Sequence, residues 1–162
     1  MPTFLLCIKV ELDNVENLSI PATAHWCLDV KEGAGSEEKK GVYVTSLEEH
    51  ELTGSKGTAN LVMKFAKGSK KEASVNVMEV KGVTRPYTAE DDGKFVPIIA
   101  FECRGLEPIG FHPEGGWNVV SGGGSKFQDV DLKELEWTDY CDKSSASVGV
   151  FGFESKFQLH RG

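Results

Sequence analysis

The clearest signal along the chain is an apolar–polar alternation with a period of two, which predicts strands rather than helices. From Phe4 to Leu12, the residues Phe4, Leu6, Ile8 and Val10 fall on one face and Leu5, Cys7, Lys9 and Glu11 on the other. One face of that strand is expected to be buried. Asp13 and Asn14 open a turn, Val15, Leu18 and Ile20 follow, and His25 to Val30 reads as a second strand. A glycine-rich, charged tip at 31–41 precedes a strand that restarts at Val42. Ser46 to Gly57 is a polar connection, after which Thr58 to Phe65 and Ala73 to Val80 alternate again. Phe95 to Phe101 is a further apolar run, ending in a turn around Gly105 and Pro108. Glycine permits positive φ there, and proline cannot continue a ladder. Trp117 to Val120, Phe127 to Leu132, Val148 to Phe153 and Phe157 to Leu159 supply more strand material, with a helical turn expected within 132–140. These elements predict an all-β fold.

The chain also repeats itself. Trp26 and Trp117 are 91 apart (117 − 26), and the same shift lays Cys7–Glu11 over Ile98–Glu102 and Asn14–Leu18 over Gly105–Ile109. Glu11 and Glu16 then meet Glu102 and Glu107 as identities. The expectation is a single domain over 1–162, a β-sandwich of two pseudo-symmetric, duplicated halves at about 1–84 and 94–162 joined by a linker at about 85–93. Neither half is large enough to bury its own face. The first half carries extra hairpins between Asp29 and Val80.

Charge narrows the choice of partner. The formal net charge of −7 argues against nucleic acid or an anionic membrane, both of which need a concentrated basic surface. Lys64, Lys67, Lys70 and Lys71 form a local basic group, read as a solvated hairpin tip. No apolar window approaches the roughly 20 residues of a membrane helix. The apolar run at the start alternates with Lys9 and Glu11 and lacks a basic leader, so it reads as a strand and not a signal peptide. Cysteines 7, 27, 103 and 141 are widely spaced, with no CxxC, and read as free thiols in a reducing compartment. A cytoplasmic location is expected.

Three stretches bear on identity. Pro86-Tyr87-Thr88-Ala89-Glu90-Asp91, Phe101-Glu102-Cys103-Arg104-Gly105-Leu106-Glu107-Pro108 and Trp137-Thr138-Asp139-Tyr140 resemble the eukaryotic CXXC-motif-containing zinc-binding protein family. The resemblance spans nearly the whole chain. It implies a small cytosolic all-β protein of two related halves, with zinc-ribbon-like hairpins in the first half whose two CxxC pairs hold a zinc ion. The positions where those pairs would fall read Glu32, Gly35, Phe65 and Gly68. A structural zinc site needs four N, S or O donors, and glycine and phenylalanine provide none. The resemblance therefore implies hairpins without their metal, and no cofactor is expected.

The remaining chemistry is sparse. His25 and Cys27 stand two apart on one strand face, as a metal pair or as part of a half-buried strand. Cys103 lies beside Arg104, but adjacent strand residues point to opposite faces, so Arg104 is expected to pair Glu102, Glu107 or an acid from the other half instead. Asp139, Cys141 and Asp142 stand with Trp137 and Tyr140, as a pocket wall or as an aromatic corner. Gly122 to Ser125 lacks the Lys-Ser/Thr ending of a phosphate-binding loop. No nucleophile–base pair emerges, so the expectation is a non-catalytic binding or adaptor protein that meets a protein partner. Its candidate surface is Arg104, Glu107, Trp137, Asp139 and Tyr140. The alternatives are a thiol-redox enzyme using Cys103 or Cys141, or residual metal binding through His25, Cys27 or Glu32.

Overall fold

The longest alternations become the longest strands. In chain order these are β1 (Thr3–Asp13), β2 (Val15–Ser19), β3 (Trp26–Glu32), β4 (Glu38–Val44), β5 (His50–Glu51), β6 (Thr58–Ala59), β7 (Leu61–Met63) and β8 (Ala73–Met78). After them come β9 (Tyr87–Thr88), a 3-10 turn at Ala89–Asp91, β10 (Val96–Arg104), β11 (Leu106–His112), β12 (Trp117–Ser121), β13 (Lys126–Val130), β14 (Trp137–Cys141) and β15 (Ala146–His160). This is a computed structural model that describes residues 2–54, 56–69 and 71–161, so Lys70 of the basic group lies outside the described residues. Lys64, Lys67 and Lys71 are exposed, as a solvated tip requires.

All strand pairs are antiparallel. A six-stranded sheet runs β14-β15-β1-β10-β8-β7, a four-stranded sheet β13-β12-β2-β9, and a three-stranded sheet β11-β3-β4, with β5-β6 a separate ribbon. Each of the first three strands pairs with a strand from beyond residue 95. β1 meets β10 with Leu6 opposite Ile99, β2 meets β12 with Leu18 opposite Val119, and β3 meets β11 with Leu28 opposite Phe111. One core joins the three larger sheets, built from Leu6, Ile8, Val10, Trp26, Leu28, Phe101, Trp117 and Val150. Two edge-to-face pairs lock it, Trp26–Phe101 and Trp117–Phe153, each with ring centroids 5.8 Å apart. Such pairs contribute about 1 kcal/mol beyond area burial.

The structure departs from the sequence pattern in four places. Leu5 and Cys7, expected on an open face of β1, are buried with Ala100 in a second small cluster. The cover is the turn at 80–84, where Val83 and Thr84 N–H groups donate to the Val80 carbonyl and bring Val80 and Val83 over it. The helical turn expected within 132–140 is only a tight turn, Leu135 N–H to Leu132 O, after which the chain becomes strand β14. The two C-terminal runs fuse into one 15-residue strand, β15. Gly152 at φ +61 sits where the β1–β15 register slips, so a bulge absorbs the break that looked like a strand end.

The fourth departure is the segment expected as a linker. Tyr87 is wholly buried, and its hydroxyl lies 2.6 Å from the Asp91 carbonyl and 2.8 Å from the Lys94 carbonyl. Arg85 grips Asp91 bidentately at 2.6 and 2.8 Å, while Thr88 donates from N–H and Oγ1 to the same carboxylate at 2.9 Å each. The segment is an anchored core element because a buried carboxylate, with four charge-assisted or polar donors, satisfies its own backbone turn.

The Arg85 guanidinium, helped by Thr88 and opposed by burial, holds the Asp91 carboxyl well below the usual carboxylate range. A depressed folded-state pKa stabilises above the ordinary carboxyl value and is lost as pH falls below it. Asp91→Asn should therefore cost about 2 kcal/mol in urea denaturation at pH 7. That deficit should shrink as pH drops below about 4. A deficit that stays constant from neutral pH to strong acid would contradict this role.

Candidate functional site

Of the four positions where CxxC pairs would fall, Glu32 and Phe65 line one hollow of about 230 Å³, and Gly35 and Gly68 lie outside its lining. Glu32 ends β3, its N–H donating to Glu37 O at 2.8 Å, and Gly35 N–H reaches back to Glu32 O at 3.5 Å to close the tip. A Cβ at Gly35 would stand 2.7 Å from Glu32 Oε2, so the Glu32 carboxylate occupies the space a side chain at 35 would enter. On the other tip, Phe65 follows β7 and packs half-buried against the main core. Ser69 N–H donates to Ala66 O at 3.1 Å, and Gly68 turns at φ +81 with open space beside it.

The floor of the hollow is the Arg104–Leu106 turn. Gly33 N–H donates to Gly105 O at 3.1 Å. Gly105 stands at φ +75, where a Cβ would come 3.4 Å from Ala73 Cα and from Glu72 O. One backbone turn is thus packed against both tips, and the tips are also tied by Lys39 Nζ donating to Lys64 O at 3.0 Å. The donor set at the four positions is a single carboxylate, so a tetrahedral zinc ion does not fit the residues present. Among the described residues, no group of three or more His, Cys, Asp or Glu could hold a metal ion.

The other candidate residues do not form one surface. Arg104 lies just past Glu102, which stands opposite Thr3, whereas Trp137 pairs Val150, which stands opposite Leu12. Nine residues of β1 separate those levels, about 30 Å of strand. Arg104 has no carboxylate within ion-pairing distance among the described residues, so its expected pairing with Glu102, Glu107 or an acid from the other half is not formed. Glu107 is half-buried beside the knuckle, opposite Lys31. Trp137 leans on Phe127 with centroids 5.3 Å apart, Asp139 is exposed, and Tyr140 is 55% exposed on the sheet's edge strand.

The thiols differ from one another. Cys103 is fully buried, and burial, reinforced by Glu102 and Glu107, pushes it up to about 12. Cys141 is also buried, but Ser121 Oγ lies 3.1 Å and Ser125 Oγ 3.3 Å from its sulfur. Ser121 Oγ accepts the Ser125 N–H at 3.0 Å, which leaves its own hydrogen free for the sulfur. Hydrogen bonding with Ser121, Ser125 and Ser144 brings Cys141 down to about 6, against the opposing effect of burial. The Gly122–Ser125 loop is therefore the lid over a thiol.

A further polar group escaped the sequence reading. Cys27 faces His112 across β3–β11 and Tyr43 across β3–β4. His112 Nε2 lies 2.9 Å from Asp29 Oδ2, and Tyr43 donates to Glu114 Oε2 at 2.8 Å. The Glu114 contact pushes Tyr43 up to about 12, and burial raises Cys27. Only the β3–β11 register, over 80 residues of sequence apart, brings these groups together. His25, expected beside Cys27, is instead exposed in the turn before β3.

The fold is that of a small all-β protein built from several antiparallel sheets around one core. The family described as CXXC motif containing zinc binding protein, eukaryotic, matches residues 5–158, and this chain belongs to it. The CXXC motif containing zinc binding protein of Homo sapiens is 34% identical over 160 residues, covering 97% of this chain and 98% of its own length. A Nematostella vectensis protein, UPF0587 protein v1g245604, is 38% identical over 154 residues, covering 94% and 95%. The crystal structure of C1orf123 superposes with a TM-score of 0.87 at 34% identity, over 98% of this chain and 99% of that one.

If packing rather than metal closes the tips, Phe65→Ala should lower stability by about 2 kcal/mol, from lost apolar burial. Chelator should not change that number. Thermal melts of both proteins with and without EDTA check it, and a wild-type melt that falls on chelation would contradict it.

Proposed function

We propose that this chain is a non-catalytic, cytoplasmic binding module that works without zinc and captures an extended, basic segment of a protein partner along β14. The observation that carries this reading is the open, acidic edge of the six-stranded sheet. β14 hydrogen-bonds to β15 on one side and has no strand on the other among the described residues. Between 129 and 142 stand six exposed acids, Asp129, Asp131, Glu134, Glu136, Asp139 and Asp142, against the single basic residue Lys133. Leu135 and Tyr140 add exposed apolar area, 47% and 55%. A free edge offers backbone pairing to a partner strand, and alternate side chains read its sequence. The acids both steer a basic segment and guard the edge against self-association.

The pairing scheme also supports reading the chain as a β-sandwich of two duplicated halves. At a shift of 91, β2 corresponds to β11 and β3 to β12, and it is β2 that pairs β12 while β3 pairs β11. No helix among the described residues is long and apolar enough to cross a membrane.

A fluorescently labelled peptide alternating lysine and valine should bind the protein, and its glutamate–valine counterpart should not. The double variant Glu136→Lys/Asp139→Lys should weaken the lysine peptide about tenfold, as lost charge complementarity predicts. Equal binding to wild type and variant, or backbone amide shifts that avoid 137–141, would overturn the edge as the docking site.

The serine cluster around Cys141 favours a second reading, a thiol-redox protein. Iodoacetamide separates the two. On the binding-module reading, Cys103 and Cys141 both resist alkylation at neutral pH until urea unfolds the chain. Rapid native labelling of Cys141, titrating near pH 6, would favour the redox reading instead.

A further inference from the structure

A cavity of about 580 Å³ lies between β3, β11, the turn that joins β13 to β14, and β15. Its floor is aromatic: Phe111 and Phe153, both buried, stand with ring centroids 6.1 Å apart. Pro113 and Cys27 complete that floor, and burial raises the Cys27 thiol, which keeps it a neutral, polarisable surface. Size and lining are those of a small-molecule pocket.

The outer wall is Leu135, which stands at φ +68, where a bulky side chain is strained and glycine is the usual occupant. The turn needs that backbone, because Leu135 N–H donates to Leu132 O and its carbonyl accepts the Phe153 N–H. It does not need a leucine there, since the side chain stays 47% exposed. An apolar side chain held in a strained, solvent-facing position at a cavity is accounted for by a ligand that covers it.

Two opposite charges stand at the mouth. Leu132 N–H donates to Glu114 O at 3.1 Å, which joins the turn carrying Lys133 to the segment carrying Glu114. Lys133 is exposed and makes no ion pair among the described residues. Glu114 is half-buried and gives Oε2 to the Tyr43 hydroxyl at 2.8 Å, which leaves Oε1 open among the described residues. His112 also lines the cavity, but its Nε2 is held by Asp29 Oδ2 at 2.9 Å, and half-buried Ser155 adds one hydroxyl. A lone anion would meet Glu114, with Asp131 and Glu134 flanking Lys133 in sequence, and a lone cation would meet Lys133. A molecule that carries both charges finds a partner for each.

We propose that this cavity binds an α-amino acid with an apolar side chain. Its carboxylate meets Lys133, its ammonium meets Glu114, and its side chain lies over Phe111 and Phe153 against Leu135. The site is independent of the β14 edge, whose Glu136 and Asp139 do not line the cavity.

The test titrates the full chain, by calorimetry and in ¹⁵N spectra, with L-phenylalanine, phenethylamine and 3-phenylpropionate. The last two keep the aromatic body and carry one charge each. L-Phenylalanine should bind saturably and move the amide signals of Lys133, Leu135 and Phe153, and each one-charge analogue should bind at least tenfold more weakly. Lys133→Met should weaken the amino acid about tenfold and spare phenethylamine. Glu114→Gln, which keeps an acceptor for Tyr43, should weaken the amino acid equally and spare 3-phenylpropionate. Leu135→Gly relieves the backbone strain, so its melt should match the wild type while L-phenylalanine binds about tenfold more weakly, from lost apolar contact. The proposal is overturned if L-phenylalanine gives no saturable binding up to its solubility limit, or if the three probes bind alike. Unchanged affinity for the amino acid in either Lys133→Met or Glu114→Gln overturns it as well.

Discussion

The backbone turn at Gly105 is the contact on which the hairpin region depends. It accepts Gly33 N–H on one side, and on the other a Cβ at 105 would come 3.4 Å from Ala73 Cα and Glu72 O. Glycine suits the position because φ is +75, a conformation that side chains rarely adopt, and a Cβ would stand at close contact with β8. Where a zinc ribbon joins its knuckles through a metal, these tips are joined through a third piece of chain. The substitution is energetically modest because the hairpins are rooted in larger sheets. β3 pairs both β4 and β11, and β8 pairs both β7 and β10. Free-standing zinc modules need roughly 10 kcal/mol or more from their metal to fold. Tips that extend from a shared core need only a few hydrogen bonds of about 1 kcal/mol each and a half-buried phenylalanine.

The same logic of one group serving several elements recurs at Tyr87 and Asp91. The Tyr87 hydroxyl meets the backbone of Val10, Asp91 and Lys94. The Asp91 carboxylate holds Arg85 and Thr88, and the neighbouring Asp92 carboxylate accepts the Leu12 N–H near the end of β1. The contacts with Val10 and Leu12 join segments about 80 residues apart, and they fix how the sheets sit around the shared core. The Trp26 and Trp117 pairs then fill the space so set. The candidate binding edge at β14 lies on the outside of this arrangement, held by β15 alone.

Much of this was legible as periodicity. Alternation identified β1 and β8, and a continuous apolar run identified β10, which is buried on most of its length. It misjudged Leu5 and Cys7, whose cover comes from the distant turn at 80–84. It read 85–93 as a linker because polar residues there looked solvated, whereas Asp91 and Arg85 satisfy one another inside the fold. The single strand β15 was hidden by Gly152, which breaks the pattern without ending the ladder. The vacated ligand positions were readable from the family resemblance, since they depend on residue identity. The floor beneath them at Gly105, the serine cluster at Cys141 and the His112–Asp29 contact were not, since each needs a register between remote strands. Grouping Arg104 and Glu107 with Trp137, Asp139 and Tyr140 failed for the same reason.

The claim that most of this account rests on is that side chains and backbone, not a metal, close the knuckles. Elemental analysis of the full chain, purified from zinc-supplemented culture without chelator, tests it most directly. Zinc far below one equivalent per chain is the result the account predicts. One tightly held zinc per folded chain would contradict it.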